Sequence, residues 1–348
     1  MLFDQNDEIF EEIITRQLRS LRIDAQFRKE ALKDLKKLEK ELVAKLQNSD
    51  INGTSFQINR LNALLRSVKQ SIKNTYASLD KNLEKNVTEY VRLESEKTAK
   101  ILNTVVGAST TALPPAKIKA IYSNVLIEGS PSSEWWSRQE VKLQQMFSDN
   151  IKEGLLRGET NQQLVQRIRG TRAFNFTNGV MNTSRRDAET LIRSSVQAVA
   201  NKARFDTFEA NSDLVSSFRQ VSTLDGQTTD ICIVRDGLRW KNNAAKTPIG
   251  HNIPFRLTPL HWNCRSTHIA ELKGVSLPDD AERASVDGPV KASVTFNDFL
   301  KNKDKAFQDD LLGVGKAKLW RSNKITLRQL LDQSGNPLTL TQLEAKYT

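Results

Sequence analysis

The sequence predicts an α+β protein with a long N-terminal helical hairpin, a central helical module that carries a small antiparallel sheet, and a helical C-terminal tail. Three observations support this prediction. Apolar residues recur at steps of three and four through most of the N-terminal third, as on one face of a helix. In the middle of the chain the pattern changes to the alternation of a β-strand. Both cysteines and all three histidines lie in that middle region, which indicates a compact module.

The composition favours a folded protein that carries a large positive charge. The chain has 348 residues, of which 38% are hydrophobic and 27% charged, and its net charge is +11. A chain of this length predicts two or three domains. A surface with this charge attracts polyanions, with nucleic acid as the first candidate and ordinary solvation as the alternative. Two cysteines fit a reducing compartment better than a disulfide framework.

We expect neither a membrane anchor nor a secretory signal. No stretch approaches the run of about 20 apolar residues that a membrane-spanning helix needs. The N-terminal sequence MLFDQNDEIFEEII is acidic and lacks a basic region followed by an apolar core. Both features fit a protein that is made and folded in the cytoplasm.

The spacing of apolar residues predicts a helical or coiled-coil region over residues 1–106. A first helix ends at the turn-forming residues 48–53, and a second begins near Ser55 or Gln57. The apolar stripes predict that the two helices pack against each other or against a partner. The stripe residues are Phe27, Ala31, Leu35, Leu38, Leu42 and Leu46 in the first helix, and Leu61, Leu65, Val68, Ile72, Tyr76, Leu79, Leu83, Val87 and Val91 in the second.

Residues 116–275 predict the central domain, which begins after the helix-breaking pair Pro114-Pro115. Several helices come first. We interpret Trp135 and Trp136 as a packing anchor, with a stacking platform for single-stranded bases as the alternative. Expected N-terminal caps of three helices are, in chain order, Ser132 or Ser133, Thr160 or Asn161, and Thr183 or Ser184.

The second half of this domain predicts the sheet. Residues 215–221 alternate as a strand, residues 238–240 predict a second strand, and residues 268–270 predict the last one. Turns are expected at 224–226, at 228–230 and at 235–237. The remaining residues, 276–348, predict a linker followed by a tail of short helices, with a turn at 334–337.

The residues of the central domain allow two kinds of metal chemistry. Cys232, His261 and Cys264 are zinc-type ligands with a His-x-x-Cys spacing, and Asp230 or His268 could complete a tetrahedron. The alternative is that the cysteines are small buried apolar residues and that His261 bonds to the backbone.

A metal-dependent nuclease is the second kind of chemistry that the sequence allows. It would gather carboxylates and histidines around a divalent ion, drawn from Asp225, Asp230, Asp236, His251 and His261. Acidic residues beside glycine are, alternatively, ordinary turn residues. Nucleophilic hydrolysis has no support, because the chain has neither a Gly-x-Ser-x-Gly elbow nor a phosphate-binding glycine loop.

The order of these motifs resembles the phage Mu F-like minor head protein family, also called phage head morphogenesis proteins. The resemblance covers roughly residues 145–275 and rests on an Arg-Thr-rich helix, a strand, a Pro-rich loop with Pro254 and Pro259, and three motifs. These are Leu-Asp-x-x-Thr-x-x-x-Cys at 224–232, Asp-Gly at 236–237 and His-x-Asn-Cys-Arg at 261–265. The sequence departs from the family where many members carry further cysteines, since Thr229 and Ser266 occupy those positions.

The resemblance implies a structural, non-enzymatic minor head protein of a tailed bacteriophage. Such proteins act in head assembly at the portal vertex, lie inside the capsid and can be ejected with the genome. The implied partners are the phage portal protein, scaffold or capsid proteins, and packaged double-stranded DNA bound without base specificity. The alternative function is a metal-dependent nuclease or an ejected effector enzyme.

The resemblance also implies a structural core without a catalytic residue or cofactor. The core residues are Arg193, Asp225, Thr228, Cys232, Asp236, Gly237, His261, Asn263, Cys264 and Arg265. We expect no metal in this core, with zinc on Cys232, His261 and Cys264 as the alternative.

Overall fold

A computed structural model describes residues 5–49, 51, 58–107, 109–273 and 281–347. The chain forms two compact units, each assembled from separate segments. Unit 1 comprises Met1–Leu21, Tyr90–Ile121 and Gln197–Thr348, and unit 2 comprises Arg22–Glu89 and Tyr122–Val196. The α+β class predicted from the sequence is confirmed, because long N-terminal helices and a helical C-terminal region accompany small antiparallel sheets.

The helices and strands follow one another in this order. The helices are α1 Gln5–Gln47, α2 Ile58–Val106, α3 Pro115–Asn124, α4 Ser132–Leu156, α5 Asn161–Arg169, α6 Val180–Ala210, α7 Asp230–Arg235, α8 Phe296–Lys301, α9 Lys305–Leu312, α10 Val314–Arg321 and α11 Leu340–Tyr347. The strands are β1 Leu126–Ile127, β2 Ser130–Pro131, β3 Val215–Val221, β4 Arg239–Lys241, β5 Pro248–Ile249, β6 Thr267–Leu272, β7 Glu282–Ser285 and β8 Gly288–Lys291. None of the helices within the described ranges has the length and hydrophobicity needed to cross a membrane.

In unit 2, the parts of α1 and α2 form the predicted antiparallel hairpin. As the residue number rises along α1, the number of the α2 partner falls: Glu30 pairs with Asn86, Glu41 with Ser71 and Lys45 with Ser67. The predicted apolar stripes face the core, and Leu35, Leu42, Ile72 and Val87 are fully shielded from solvent or nearly so. Residues 52–57, which include the expected start of α2 at Ser55 or Gln57, lie outside the described residues.

The tryptophan pair of α4 packs within unit 2. Trp136 is buried and meets the ring of Tyr76 edge-on, with 5.9 Å between the ring centroids. Trp135 donates its indole N–H to the carbonyl of Ile127 over 2.8 Å, and the guanidinium of Arg138 lies 4.4 Å from its ring centroid. These contacts correspond to the packing interpretation of both tryptophans.

Two of the predicted helix caps are wrong, and one is confirmed. The N-cap position of α4 is Pro131, because the short β1–β2 hairpin, absent from the sequence prediction, leads directly into that helix. The helix α6 begins at Val180, so Thr183 and Ser184 lie inside it rather than at its start. Thr160 does cap α5, in a reciprocal capping box with Gln163.

Unit 1 contains a four-stranded antiparallel sheet in the order β5-β4-β3-β6. The central strand β3 places Phe218 opposite Trp240 on β4 and Ala270 on β6. Phe218 packs against Phe205 and Phe208 of α6, with ring centroids 4.8 and 6.4 Å apart. The sheet therefore covers the C-terminal part of α6 with an aromatic core.

The segment after the sheet differs from its prediction. Residues 282–291, predicted as part of a linker, form the antiparallel hairpin β7–β8. The Asp-Gly pair at 287–288 is typical of a hairpin turn, since Gly288 has a φ of 106° that residues with a side chain rarely adopt.

The turn predicted at 228–230 is also shorter than expected, because α7 starts at Asp230. The helices α8 to α11 then pack around Phe296, Trp320 and Leu330 in a second apolar cluster of unit 1.

A buried ion cluster joins the helices of unit 1. Glu94 on α2 is shielded from solvent and accepts hydrogen bonds from Arg16 of α1 and Arg204 of α6, over 2.9 and 3.0 Å. Arg204 also donates to Gln17 and Asn201, over 2.6 Å in both cases. One buried carboxylate therefore neutralises two guanidinium groups. Removing any one of the three side chains would leave a buried charge without full compensation.

We predict that Glu94→Ala destabilises the protein by about 3–5 kcal/mol, because two buried arginines would lose their counter-charge. The matched control is Glu96→Ala, which removes an exposed partner of Arg92 two residues further along α2. It should cost no more than about 1 kcal/mol. Urea denaturation of both variants measures the two costs. Equal stability of the two variants would contradict the structural role assigned to Glu94.

Candidate functional site

The predicted core residues fall into different units. Arg193 belongs to unit 2, where it is half-buried on α6. All the others belong to unit 1, around α7 and the turns that flank it. Within unit 1 they form three groups: an ion pair centred on Asp225, a hydrogen-bonding centre at Asp236, and a cluster of two cysteines with one histidine.

Asp225 and Arg265, which lie on two different loops, form a bidentate ion pair. Both terminal nitrogens of Arg265 bond to the carboxylate, one of them over 2.8 Å. The same carboxylate accepts the backbone N–H of Gln227 over 2.9 Å and lies 3.1 Å from the hydroxyl of Thr228. Burial favours a higher pKa for Asp225, but the bonds from Arg265, Gln227 and Thr228 outweigh it and hold the pKa below its usual value.

Asp236 connects the sheet with the segment that follows it. Its carboxylate accepts the backbone N–H of Ser222 over 2.9 Å and that of Phe296 over 3.1 Å. Arg283 of β7 donates to both carboxylate oxygens, over 2.9 and 2.6 Å, and both side chains of this pair are buried. The next residue, Gly237, has a φ of 75°, which explains why glycine is needed at this turn.

The two cysteines and His261 converge between α7 and the turn before β6. The sulfur atoms of Cys232 and Cys264 lie 3.7 Å apart, and the Cys232 sulfur lies 3.2 Å from Nε2 of His261. The hydroxyl of Thr229 is 2.9 Å from the same nitrogen. Both cysteines are buried, His261 is half-buried and Thr229 is exposed, so the cluster opens toward solvent on one side.

The turn that carries His261 fixes the direction of its ring. The backbone N–H of Cys264 donates to the carbonyl of His261, which closes the predicted His-x-x-Cys turn. Asn263 has a φ of 59°, a conformation that asparagine tolerates better than most residues. Nδ1 of His261 lies 2.8 Å from the carbonyl oxygen of Trp262, which can only accept a hydrogen bond. Nδ1 therefore carries the proton, and Nε2 presents its lone pair to the cysteines.

The thiols of the cluster influence each other's ionisation. The hydrogen bond from Cys232 lowers the pKa of Cys264 well below its usual value, although burial acts in the opposite direction. The same bond, together with burial, raises the pKa of Cys232. Cys264 is therefore the more acidic thiol of the pair.

Other residues considered for metal chemistry lie in other contacts. Asp230 forms an ion pair with Lys316 over 2.6 Å. His268 is fully buried, and burial lowers its pKa to about 3, so it is neutral at physiological pH. His251 contacts the carbonyl of Arg239 over 2.8 Å. Within the described ranges, the only group of three or more clustered metal-ligand side chains is Cys232, His261 and Cys264. The structure does not gather the residues of the nuclease alternative.

Sequence reasoning missed several polar residues of unit 1. Arg283 was part of the predicted linker, and only the Asp-Gly pair at 287–288 indicated a hairpin there. Glu271 on β6 accepts from Arg219 and Arg239, over 3.0 and 2.6 Å. A local sequence pattern cannot predict such a buried charge, because its partners lie on two other strands.

We predict that Arg265→Ala and Asp225→Ala each destabilise the protein by about 1–3 kcal/mol, because each leaves a charged, partly buried partner unpaired. Asp34→Ala, which removes the half-buried partner of the exposed Lys37, is the control and should cost at most about 1 kcal/mol. Thermal melting measures all three. Unchanged melting of both site variants would contradict the prediction.

The pair also predicts a dependence of stability on pH. The pKa of Asp225 is lower in the folded protein than the unfolded value of about 3.9. Its contribution is therefore fully present above about pH 4 and is lost as the pH falls through the folded pKa. Asp225→Asn should lose less stability than the wild-type protein between pH 7 and pH 3. An equal loss in both proteins would contradict this assignment.

Comparison with known proteins identifies the region that holds these groups. Residues 145–269 match the family model described as phage Mu protein F like protein. No match was found among curated proteins or among solved structures. The matched residues include the C-terminal end of α4, the helices α5 to α7 and nearly all of the four-stranded sheet. The family resemblance inferred from the motifs is confirmed over residues 145–269, which match the phage Mu protein F like family.

Proposed function

We propose that the chain is a structural minor head protein of a tailed bacteriophage that acts in head assembly at the portal vertex. The observation that carries this proposal is the match of residues 145–269 to the phage Mu protein F like family. In this role the protein lies inside the capsid after assembly in the host cytoplasm. It contacts packaged DNA without base specificity and leaves the head with the genome.

The acidic residues of the central region support a role other than catalysis. A nuclease needs carboxylates that are free to hold a metal ion. Here Asp225 is bound to Arg265, Asp230 to Lys316 and Asp236 to Arg283. Their positive partners already neutralise the charge that a divalent cation would need, so the proposal assigns these carboxylates to the fold.

The outer face of the helical hairpin in unit 2 supports contact with DNA. On α1 the exposed residues Lys29, Lys33, Lys36 and Lys40 follow one another at steps of four and three, opposite the buried stripe. On α2, the segment 58–79 has no acidic residue, and its basic residues Arg60, Arg66, Lys69 and Lys73 are exposed. Regularly spaced cations on rigid helices suit the regularly spaced phosphates of a duplex, which they would contact without reading bases.

The proposed partner in assembly is the portal protein of the same phage, with scaffold and capsid proteins as further contacts. Long amphipathic helices offer extended surfaces to a partner without requiring a cleft. A protein that assembles only at the portal vertex must bind the portal protein in preference to the coat protein.

We predict that the purified full chain co-elutes with the portal protein of its phage in size-exclusion chromatography at micromolar concentrations. The major coat protein is the control and should elute separately. Light scattering on the peak gives the composition of the complex. Binding to the coat protein without binding to the portal protein would contradict the proposed location.

We predict that replacing Lys29, Lys33, Lys36 and Lys40 by Gln weakens binding to duplex DNA of any sequence. A plot of log affinity against log salt concentration has a negative slope, and each lost phosphate contact reduces its magnitude by about 0.9. The control variant carries Gln at the exposed residues Lys291, Lys301, Lys305 and Lys324, so both variants lose the same charge. Fluorescence anisotropy across a salt series compares them.

Equal weakening by the two variants would show that overall charge, and not the hairpin face, attracts DNA. The same samples, incubated with Mg²⁺ or Zn²⁺, should leave supercoiled plasmid intact. Metal-dependent cleavage that the wild-type protein retains through all purification steps would contradict the non-enzymatic proposal.

A further inference from the structure

The cluster of Cys232, His261 and Cys264 has the dimensions of a zinc site. Their three ligand atoms all lie within 4.8 Å of one another. Zinc bonds sulfur at about 2.3 Å, so a tetrahedral ion places two thiolates about 3.8 Å apart, and a thiolate and an imidazole nitrogen about 3.5 Å apart. The observed separations are 3.7 Å between the sulfurs and 3.2 Å between the Cys232 sulfur and Nε2.

The surroundings of His261 prepare it to act as a metal ligand. A ligating imidazole must be neutral, with its free nitrogen directed at the ion and its other N–H held by an acceptor. The carbonyl of Trp262 holds Nδ1 over 2.8 Å, which leaves Nε2 unprotonated on the side of the cysteines.

The identity of the donors selects the metal. Two thiolates and one imidazole favour zinc over calcium or magnesium, which prefer oxygen ligands. The fourth position of the tetrahedron faces the open side of the cluster, where the hydroxyl of Thr229 lies 2.9 Å from Nε2. A water molecule that donates to or accepts from Thr229 fits this position better than a fourth protein side chain. Asp230 and His268, the candidates suggested by the sequence, lie in other contacts.

We propose that Cys232, His261 and Cys264 bind one zinc ion, with the fourth coordination position open to solvent beside Thr229. This inference is independent of the proposed role in head assembly. It replaces the expectation of a metal-free core, which rested on the absence of further cysteines at positions 229 and 266. The ion would join α7 to the turn before β6 across 32 residues of chain, and binding would require release of the thiol protons.

The bound ion would stabilise the folded protein, because the unfolded chain does not hold the three ligands together. It would also block the competing reaction of the two sulfurs. With an added oxidant, the neighbouring thiols would lose two protons and two electrons and form a disulfide, and zinc bound to both thiolates prevents this. The proposal therefore predicts that metal content and resistance to oxidation change together.

The experiment starts with the untagged full chain, purified under reducing conditions and without a metal-affinity step. Elemental analysis should give one zinc per chain. A strong chelator should lower the melting temperature, and added Zn²⁺ should restore it. Cobalt replacement should give the intense visible absorption of a tetrahedral thiolate site.

Three variants give the proposal its specificity. Cys264→Ser should lose most of the zinc. His251→Gln, which alters a half-buried histidine outside the cluster, should keep it. Thr229→Cys should supply a fourth ligand and slow zinc loss to a chelator by at least about tenfold, since closed four-ligand sites are the structural ones.

The proposal is overturned if the wild-type protein contains no zinc, takes up none when reduced and loaded, and shows two free thiols or a disulfide instead. It is also overturned if Thr229→Cys holds zinc no more tightly than the wild-type protein. Because Thr229 is exposed, that variant is expected to fold, and it keeps the test decisive even if Cys264→Ser does not fold.

Discussion

The fold of unit 1 depends on the buried charge of Glu94. A carboxylate in a dry environment costs several kcal/mol unless it is fully paired, and here the guanidinium groups of Arg16 and Arg204 provide the pairing. These three residues come from α1, α2 and α6, which are far apart in the sequence. Any arrangement that separated them would leave at least one charge buried and unmatched. The constraint therefore specifies one packing of the three helices where apolar contacts alone would allow several.

The family region is incomplete without residues outside it. Arg204 lies within the matched segment 145–269, but its carboxylate partner, Glu94, precedes it. Asp236 also lies within the segment, and Arg283, which neutralises it, follows. Both buried acids thus find their counter-charges across the limits of the match. Unit 1 accordingly joins the family region to the start of the chain and to its C-terminal part, and we expect these parts to fold cooperatively.

The sequence predicted the elements of the fold better than their connections. Apolar stripes predicted the hairpin of α1 and α2, and alternation predicted β3, because helix and strand periods are local properties. The caps predicted at Thr183 and Ser184 were wrong, because α6 begins at Val180 and buries Val180 and Met181 ahead of both residues. The hairpin β7–β8 was hidden by a polar composition typical of linkers.

The candidate site was predictable in part for the same physical reason. The His-x-x-Cys spacing indicated the Cys–His turn, whose geometry is local. Asp225 and Arg265 were expected from the family resemblance, and only the structure shows that they pair across 40 residues. Glu94, Arg283 and Glu271 were not predictable, because only the folded chain shows that their partners are close. The open zinc-type geometry also needed the structure, as spacing cannot reveal the 3.7 Å between two sulfurs that are 32 residues apart.

The chain carries a net charge of +11, and buried acidic residues of unit 1 pair with arginines. Both properties suit the proposed role inside a DNA-filled shell. The most direct measurement is quantitative mass spectrometry of purified virions from a phage that encodes the chain, before and after DNA ejection. If the proposed role is right, DNA-filled particles contain the protein in far fewer copies than the coat protein, and particles lose it with the genome. Absence from DNA-filled particles, or an abundance equal to that of the coat protein, would contradict the proposed role.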